Sequence, residues 1–198
     1  MKKIVFAIIL SLCASLPTYG KPTIEAPLGL KWGMTKDEVE KHAEELSLLE
    51  RKGDRLSSYY LRNPEKIIDG MDGYSVSVDD KFGLVSVEML QSFNNDDKGT
   101  KVKSRYDVIK EALSKKYGTP SLLEYINNER ISFYSCLRID GCGSMTAFFD
   151  GNNGQALILI NSSDVDRGNI FIRYKTHELD KIMSELKNKT INELSDSL

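Results

Sequence analysis

The stretch "GLKWGMTKDEVEK", Gly29 to Lys41, holds the only tryptophan of the chain between two glycines, just ahead of a well-marked helix start. Thr35 followed by Glu38 is a capping box: the hydroxyl accepts from an orphan backbone N–H, and the carboxylate reaches back to the Thr35 N–H. Met34 and Val39 then occupy the two positions of a hydrophobic staple. Val39, Ala43 and Leu46 recur at helical spacing, which predicts an amphipathic helix over residues 36–47. Trp32 lies two residues before the staple, where its ring can pack beneath the helix start, and Gly33 lets the backbone turn beside it. The stretch reads as a device that starts a fold, with an interface anchor as the competing reading of Trp32.

Downstream of this helix the apolar period changes to two. "YSVSV" (Tyr74–Val78) alternates, and "LVSVEML" (Leu84–Leu90) places Val85, Val87 and Met89 on one face. "DDKFG" between them is a hairpin turn, and Leu56–Leu61 is a further strand. The pattern then restarts. Val102, Tyr106, Ile109, Leu113 and Tyr117 follow helical spacing, and Gly118 with Pro120 ends that helix. Strands are expected at Leu122–Ile126, Ile131–Leu137, Ser144–Phe149, Gln155–Ile160 and Ile170–Tyr174, followed by a helix from His177 to Lys187. "QALILI" is apolar on both faces, which predicts a central strand covered on each side. The fold class is α+β, helices packed on antiparallel β-sheet. Two tandem helix-then-meander units, about 29–97 and 98–188, are a plausible internal repeat, closed by a C-terminal strand and helix.

The first twenty residues, "MKKIVFAIILSLCASLPTYG", have the layout of a signal peptide. Lys2 and Lys3 are the positive region, Ile4–Leu12 the apolar region, and Thr18 and Gly20 the small residues before a cleavage site. The apolar run is too short to span a bilayer unless extended. A retained N-terminal anchor is the competing reading. Lipidation of Cys13 is rejected because Leu12 precedes it. Residues 21–198 are then a single compact domain in the bacterial periplasm, with no transmembrane segment after cleavage. The formal net charge is −2, and −4 once residues 1–20, which carry two lysines and no acid, are removed. Without a basic run the chain lacks the electrostatic footprint for nucleic acid or an anionic membrane. Only Cys136 and Cys142 remain after cleavage, and in an oxidising compartment they are expected to pair as a disulfide. Five residues separate them, where a redox motif would want two.

Catalytic patterns are scarce. His42 and His177 each lack a second histidine nearby, and "HEL" at 177–179 lacks the zinc-protease partner. Ser144 in "GCGSM" is not in a nucleophile elbow. Asp164 and Asp166 suggest a calcium loop until its twelfth position, which is Lys175 where a glutamate is required. "NNDDKG" at 94–99 fails in the same way at Arg105. Both read as turns rich in Asn, Asp and Gly. No catalytic residue, metal ligand or cofactor is assigned, and the chain is not read as an enzyme. Asp37, Glu40 and Glu44 form an acidic stripe on the predicted first helix, ordinarily a solvated face. Its alternative is a contact for a basic protein partner.

"LGLKWGMTKDEVEK", "FGLVSVEML" and "LSKKYGTP" resemble elements of small secreted bacterial proteins. The glycine-methionine-threonine helix start and the helix-plus-meander unit are also similar to β-lactamase-inhibitor-protein-like folds and to the small outer-membrane assembly lipoproteins. The missing lipobox departs from the latter, and the resemblance covers about a third of the chain through structural motifs. It implies a binding scaffold by analogy of fold. The expected function is a non-catalytic periplasmic protein-binding module, an inhibitor or immunity protein against a toxin or enzyme of the cell envelope. The alternative is an envelope assembly or housekeeping factor that binds a membrane-protein machine.

Overall fold

The computed structural model describes residues 20–127 and 130–197. The signal-peptide reading, Cys13 included, therefore lies almost wholly outside the described residues. In chain order the elements are α1 (Lys36–Glu40), β1 (Ala43–Lys52), β2 (Leu56–Pro64), β3 (Gly73–Asp79), β4 (Gly83–Phe93) and α2 (Thr100–Tyr117). They continue as β5 (Ser121–Ile126), α3 (Phe133–Arg138), β6 (Gly143–Asp150), β7 (Gly154–Asp164), β8 (Arg167–Thr176) and α4 (His177–Ser197). The strands form one antiparallel sheet in the order β1-β2-β3-β4-β8-β7-β6-β5. The first four strands make one meander and the last four another, and the two join through their final strands, β4 and β8. The class is α+β, with helices packed on an antiparallel sheet.

The capping box forms: the Thr35 hydroxyl accepts from Glu38 N–H, and Glu38 Oε2 accepts from Thr35 N–H at 2.8 Å. Val39 is fully buried, and Met34 packs against the same core. The stretch is then stitched to the sheet. Gly33 N–H donates to Leu84 O, and Leu84 N–H donates to Met34 O at 2.7 Å. Gly83 permits this approach, since its φ of +67° is left-handed and a Cβ there would collide with the Gly33 carbonyl.

The predicted helix over 36–47 ends at Glu40. Residues 43–52 pair with β2 along its length instead, which puts Leu46 opposite the buried Leu61. Eight residues paired with a partner strand outweigh the modest helix preference of Ala, Glu and Leu. A second correction concerns Ile131–Leu137, expected as a strand. Ser132 caps a short helix there by accepting from Ser135 N–H, and Tyr134 and Cys136 are fully buried by it. A third concerns β4. A register shift beside Val85 turns that residue to the face opposite Val87 and Met89.

One face of the sheet carries the main core. Val76, Val87, Met89, Ile172, Ile158 and Phe149 project from five strands to meet Val102, Tyr106, Leu113 and Tyr117 of α2. The N-terminus of α2 is held by Asp96, whose carboxylate accepts from Lys101 and Val102 N–H and from the buried Tyr134 hydroxyl at 3.0 Å. Burial pushes the Asp96 carboxyl up, but these donations outweigh it and hold the group below the ordinary carboxylate range. Asp79 is similar: burial raises it, and Arg55 with the Phe82 and Lys81 N–H groups lowers it further. With both folded values depressed, the unfolded state binds more protons in acid. The stabilisation is complete above the ordinary carboxylate value, about 3.9, and is lost as pH falls through the lower folded values. Urea midpoints measured across the acid range should fall steeply below about pH 4. The double variant Asp79→Asn/Asp96→Asn should flatten that slope.

Cys136 and Cys142 are joined by a disulfide with their Cα atoms 5.1 Å apart, closing the turn between α3 and β6. The loop is short, so the chain-entropy contribution is roughly 2–2.5 kcal/mol. The double variant Cys136→Ser/Cys142→Ser should lose about that much in chemical denaturation. Reductant should then no longer shift its midpoint.

Candidate functional site

The side chains singled out in the sequence do not assemble. Asp37 and Glu40 lie on α1, while Glu44 lies on β1, so the three share no helical face. All three are exposed. Glu40 is 3.4 Å from Lys36, and Glu44 accepts from the Asn63 amide. His42 Nδ1 is 3.0 Å from Glu65, whereas His177 opens α4. Ser144 Oγ lies 3.3 Å from Thr146 Oγ1 on β6. Asp164 and Asp166 pair with Arg167. Among the described residues no three His, Cys, Asp or Glu side chains are gathered where they could hold a metal ion. No helix among those residues is long and apolar enough to cross a membrane.

Trp32 is half-buried against the main core. Its indole N–H donates to Ile24 O at 2.7 Å, and Asn153 grips the same residue from the β6–β7 turn through both Ile24 N–H and Ile24 O. The ring thus fastens the segment before the helix start, and Ile24 itself is fully buried.

The distinctive surface is the second face of the sheet. The helix α4 covers only one end of it, setting Ile182 against Leu56 and Val85, with Leu179 and Leu186 beside them. Arg55 anchors that end, donating to both oxygens of the buried Asp79 and to Glu185 of α4. Beyond α4 the strand registers lay apolar side chains in rows. Leu123, Thr146, Leu159, Phe171, Leu90 and Gly73 are successive partners across six strands. In the adjacent row Phe148, Leu157, Arg173, Glu88, Ser75 and Tyr60 follow one another in the same way. Leu49 and Leu123, at the two ends of the band, are 59% and 49% exposed, and Tyr60 is 37% exposed. Phe148, Leu159, Phe171 and Leu90 are partly exposed between them. Within the band Arg173 Nε pairs with Glu88 Oε1 at 2.6 Å, with the guanidinium 5.2 Å above the Phe171 ring.

This arrangement bears out the reading of "QALILI" as an interior strand and corrects only its outer face at Leu159. Ala156, Ile158 and Ile160 face the main core and are buried; on the open face Leu157 is buried as well, but Leu159 is partly exposed. The sequence signal was present in that continuous apolar run. It registered as burial because an apolar outer face has the same composition whether its cover is the chain or a partner. Two hollows break the band. One, about 300 Å³, lies under α4 and is floored by Ser58, Ser75 and Ser77; the other, about 210 Å³, lies over Gly73. Comparison with protein-family models, with curated proteins and with solved structures found no match.

Proposed function

We propose that this chain is a non-catalytic protein-binding module that works in the bacterial periplasm and docks its partner on the open sheet face. The observation that supports the reading is the contiguous apolar and aromatic band running from Leu49 to Leu123 on one layer of strands. Contiguous exposed apolar surface on a rigid element marks an interaction site, whereas isolated exposed leucines do not. Aromatic side chains and an arginine at its centre are the residue types that carry interface energy. The partner class is a toxin or enzyme of the cell envelope, which the module neutralises by covering it.

The test is capture from periplasmic extract with wild-type protein, with Leu159→Arg on the open face, and with Val108→Arg on the exposed side of α2. One stoichiometric partner should bind wild type and Val108→Arg, fail to bind Leu159→Arg, and lose its activity when titrated with the purified protein. A partner indifferent to Leu159→Arg would remove the site. Stable association with an outer-membrane assembly machine, with no activity inhibited, would replace the inhibitor reading with the assembly one. Capture of nothing at micromolar concentration would overturn both.

A further inference from the structure

We infer that the hollow over Gly73 is a socket for one aromatic side chain presented by the protein partner, an inference that rests on the open sheet face being the docking surface. Gly73 opens β3 with ordinary strand geometry, and a Cβ placed there would meet nothing nearer than Leu90 at 3.8 Å and Tyr60 at 3.9 Å. Neither backbone conformation nor packing therefore requires glycine. A glycine in a strand weakens it, and where the fold does not demand one it often marks the close approach of another molecule. Here the missing side chain interrupts the row that Leu90 and Phe171 continue.

The socket is mainly apolar, with Ser75 and Glu88 also among its lining residues. Tyr60 walls it from β2, Leu90 from β4 and Phe171 from β8, with Leu49 at its rim. An apolar cavity of about 150 Å³ suffices for benzene, so a hollow of about 210 Å³ takes a single ring. The rings of Tyr60 and Phe171 offer the offset or edge contacts that aromatic partners prefer over aliphatic ones. A polar requirement comes from the adjacent row, where Arg173 lines the neighbouring hollow under α4. Arg173 spends Nε on Glu88, and its two terminal nitrogens have no protein acceptor among the described residues. A carbonyl or carboxylate next to the inserted ring would complete them. The occupant is thus a loop carrying a tyrosine, phenylalanine or tryptophan beside an exposed acceptor.

Amide shifts of the labelled protein titrated with N-acetyl-phenylalaninamide provide the direct test, with N-acetyl-alaninamide as control. The phenyl compound should give saturable shifts centred on Gly73, Leu90 and Phe171 at millimolar concentration, and the alanine compound none. Gly73→Leu, which fills the hollow, should weaken the effect about tenfold or more at an unchanged melting temperature. Should that variant melt early, Gly73→Ala gives the same reading with a smaller decrement. Shifts that are absent, scattered, or unaffected by these substitutions overturn the socket. A random-peptide display selection on wild type separates this inference from the broader reading. Peptides that share an aromatic residue and lose binding to both Gly73→Leu and Leu159→Arg support both. Loss in Leu159→Arg alone leaves the face standing and removes the socket, and loss in neither removes both.

Discussion

Replacing Asp79 by alanine is expected to lower the unfolding free energy by about 3 kcal/mol, the lower end of the range for breaking a buried ion pair. Its carboxylate is fully buried and receives four donations: two from Arg55 at 2.6 and 2.9 Å, and two from the Lys81 and Phe82 N–H groups at 2.9 and 3.0 Å. Removal leaves the β3–β4 turn without its acceptor and Arg55 without its main counter-charge. Because Arg55 also donates to Glu185 at 2.9 Å, the loss should spread to α4. Hydrogen exchange in the first turns of α4 should therefore speed up along with the global loss in urea denaturation. Asp79→Asn keeps a turn acceptor while deleting the charge, so it should retain part of the stability. An alanine variant with unchanged midpoint and unchanged α4 exchange would show that the pair is energetically neutral.

Trp32→Ala should cost a similar amount, about 3 kcal/mol, the low end for a large aromatic in a core because the ring is only half-buried. Two effects add: the ring leaves a void against the main core, and Ile24 O loses the indole donor. Trp32→Phe restores most of the packing but no donor, and should recover about two thirds of the loss, the remainder being the size of a typical hydrogen bond. None of the residues around Trp32 belongs to the open face, so its fluorescence should stay constant when that face is occupied. A native-like melting temperature for Trp32→Ala, or an emission change on partner binding, would restore the interface-anchor reading.

The sequence by itself determined what depends on neighbours along the chain. Thr35 and Glu38 close a capping box within four residues, Met34 and Val39 staple the same turn, and Gly118 ends α2 at the stated place. Cys136 and Cys142 are close enough in the chain that pairing needed little more than a turn. Tertiary structure decided whatever depends on partners far away. Residues 43–47 carry helix-favouring side chains, yet the ladder to β2 makes them strand, because cross-strand bonds and the Leu46–Leu61 packing outweigh a few tenths of a kcal/mol per residue in propensity. Residues 131–137 read as a strand, yet 133–138 form a helix from which the buried Tyr134 hydroxyl donates to Asp96. The open face was written as an apolar run in β7, and the run says that Leu157 and Leu159 avoid water. Which layer shields them is a property of the assembled sheet, where α4 packs on Leu56 and Val85 at one end and leaves Leu159, Phe171 and Leu90 partly exposed.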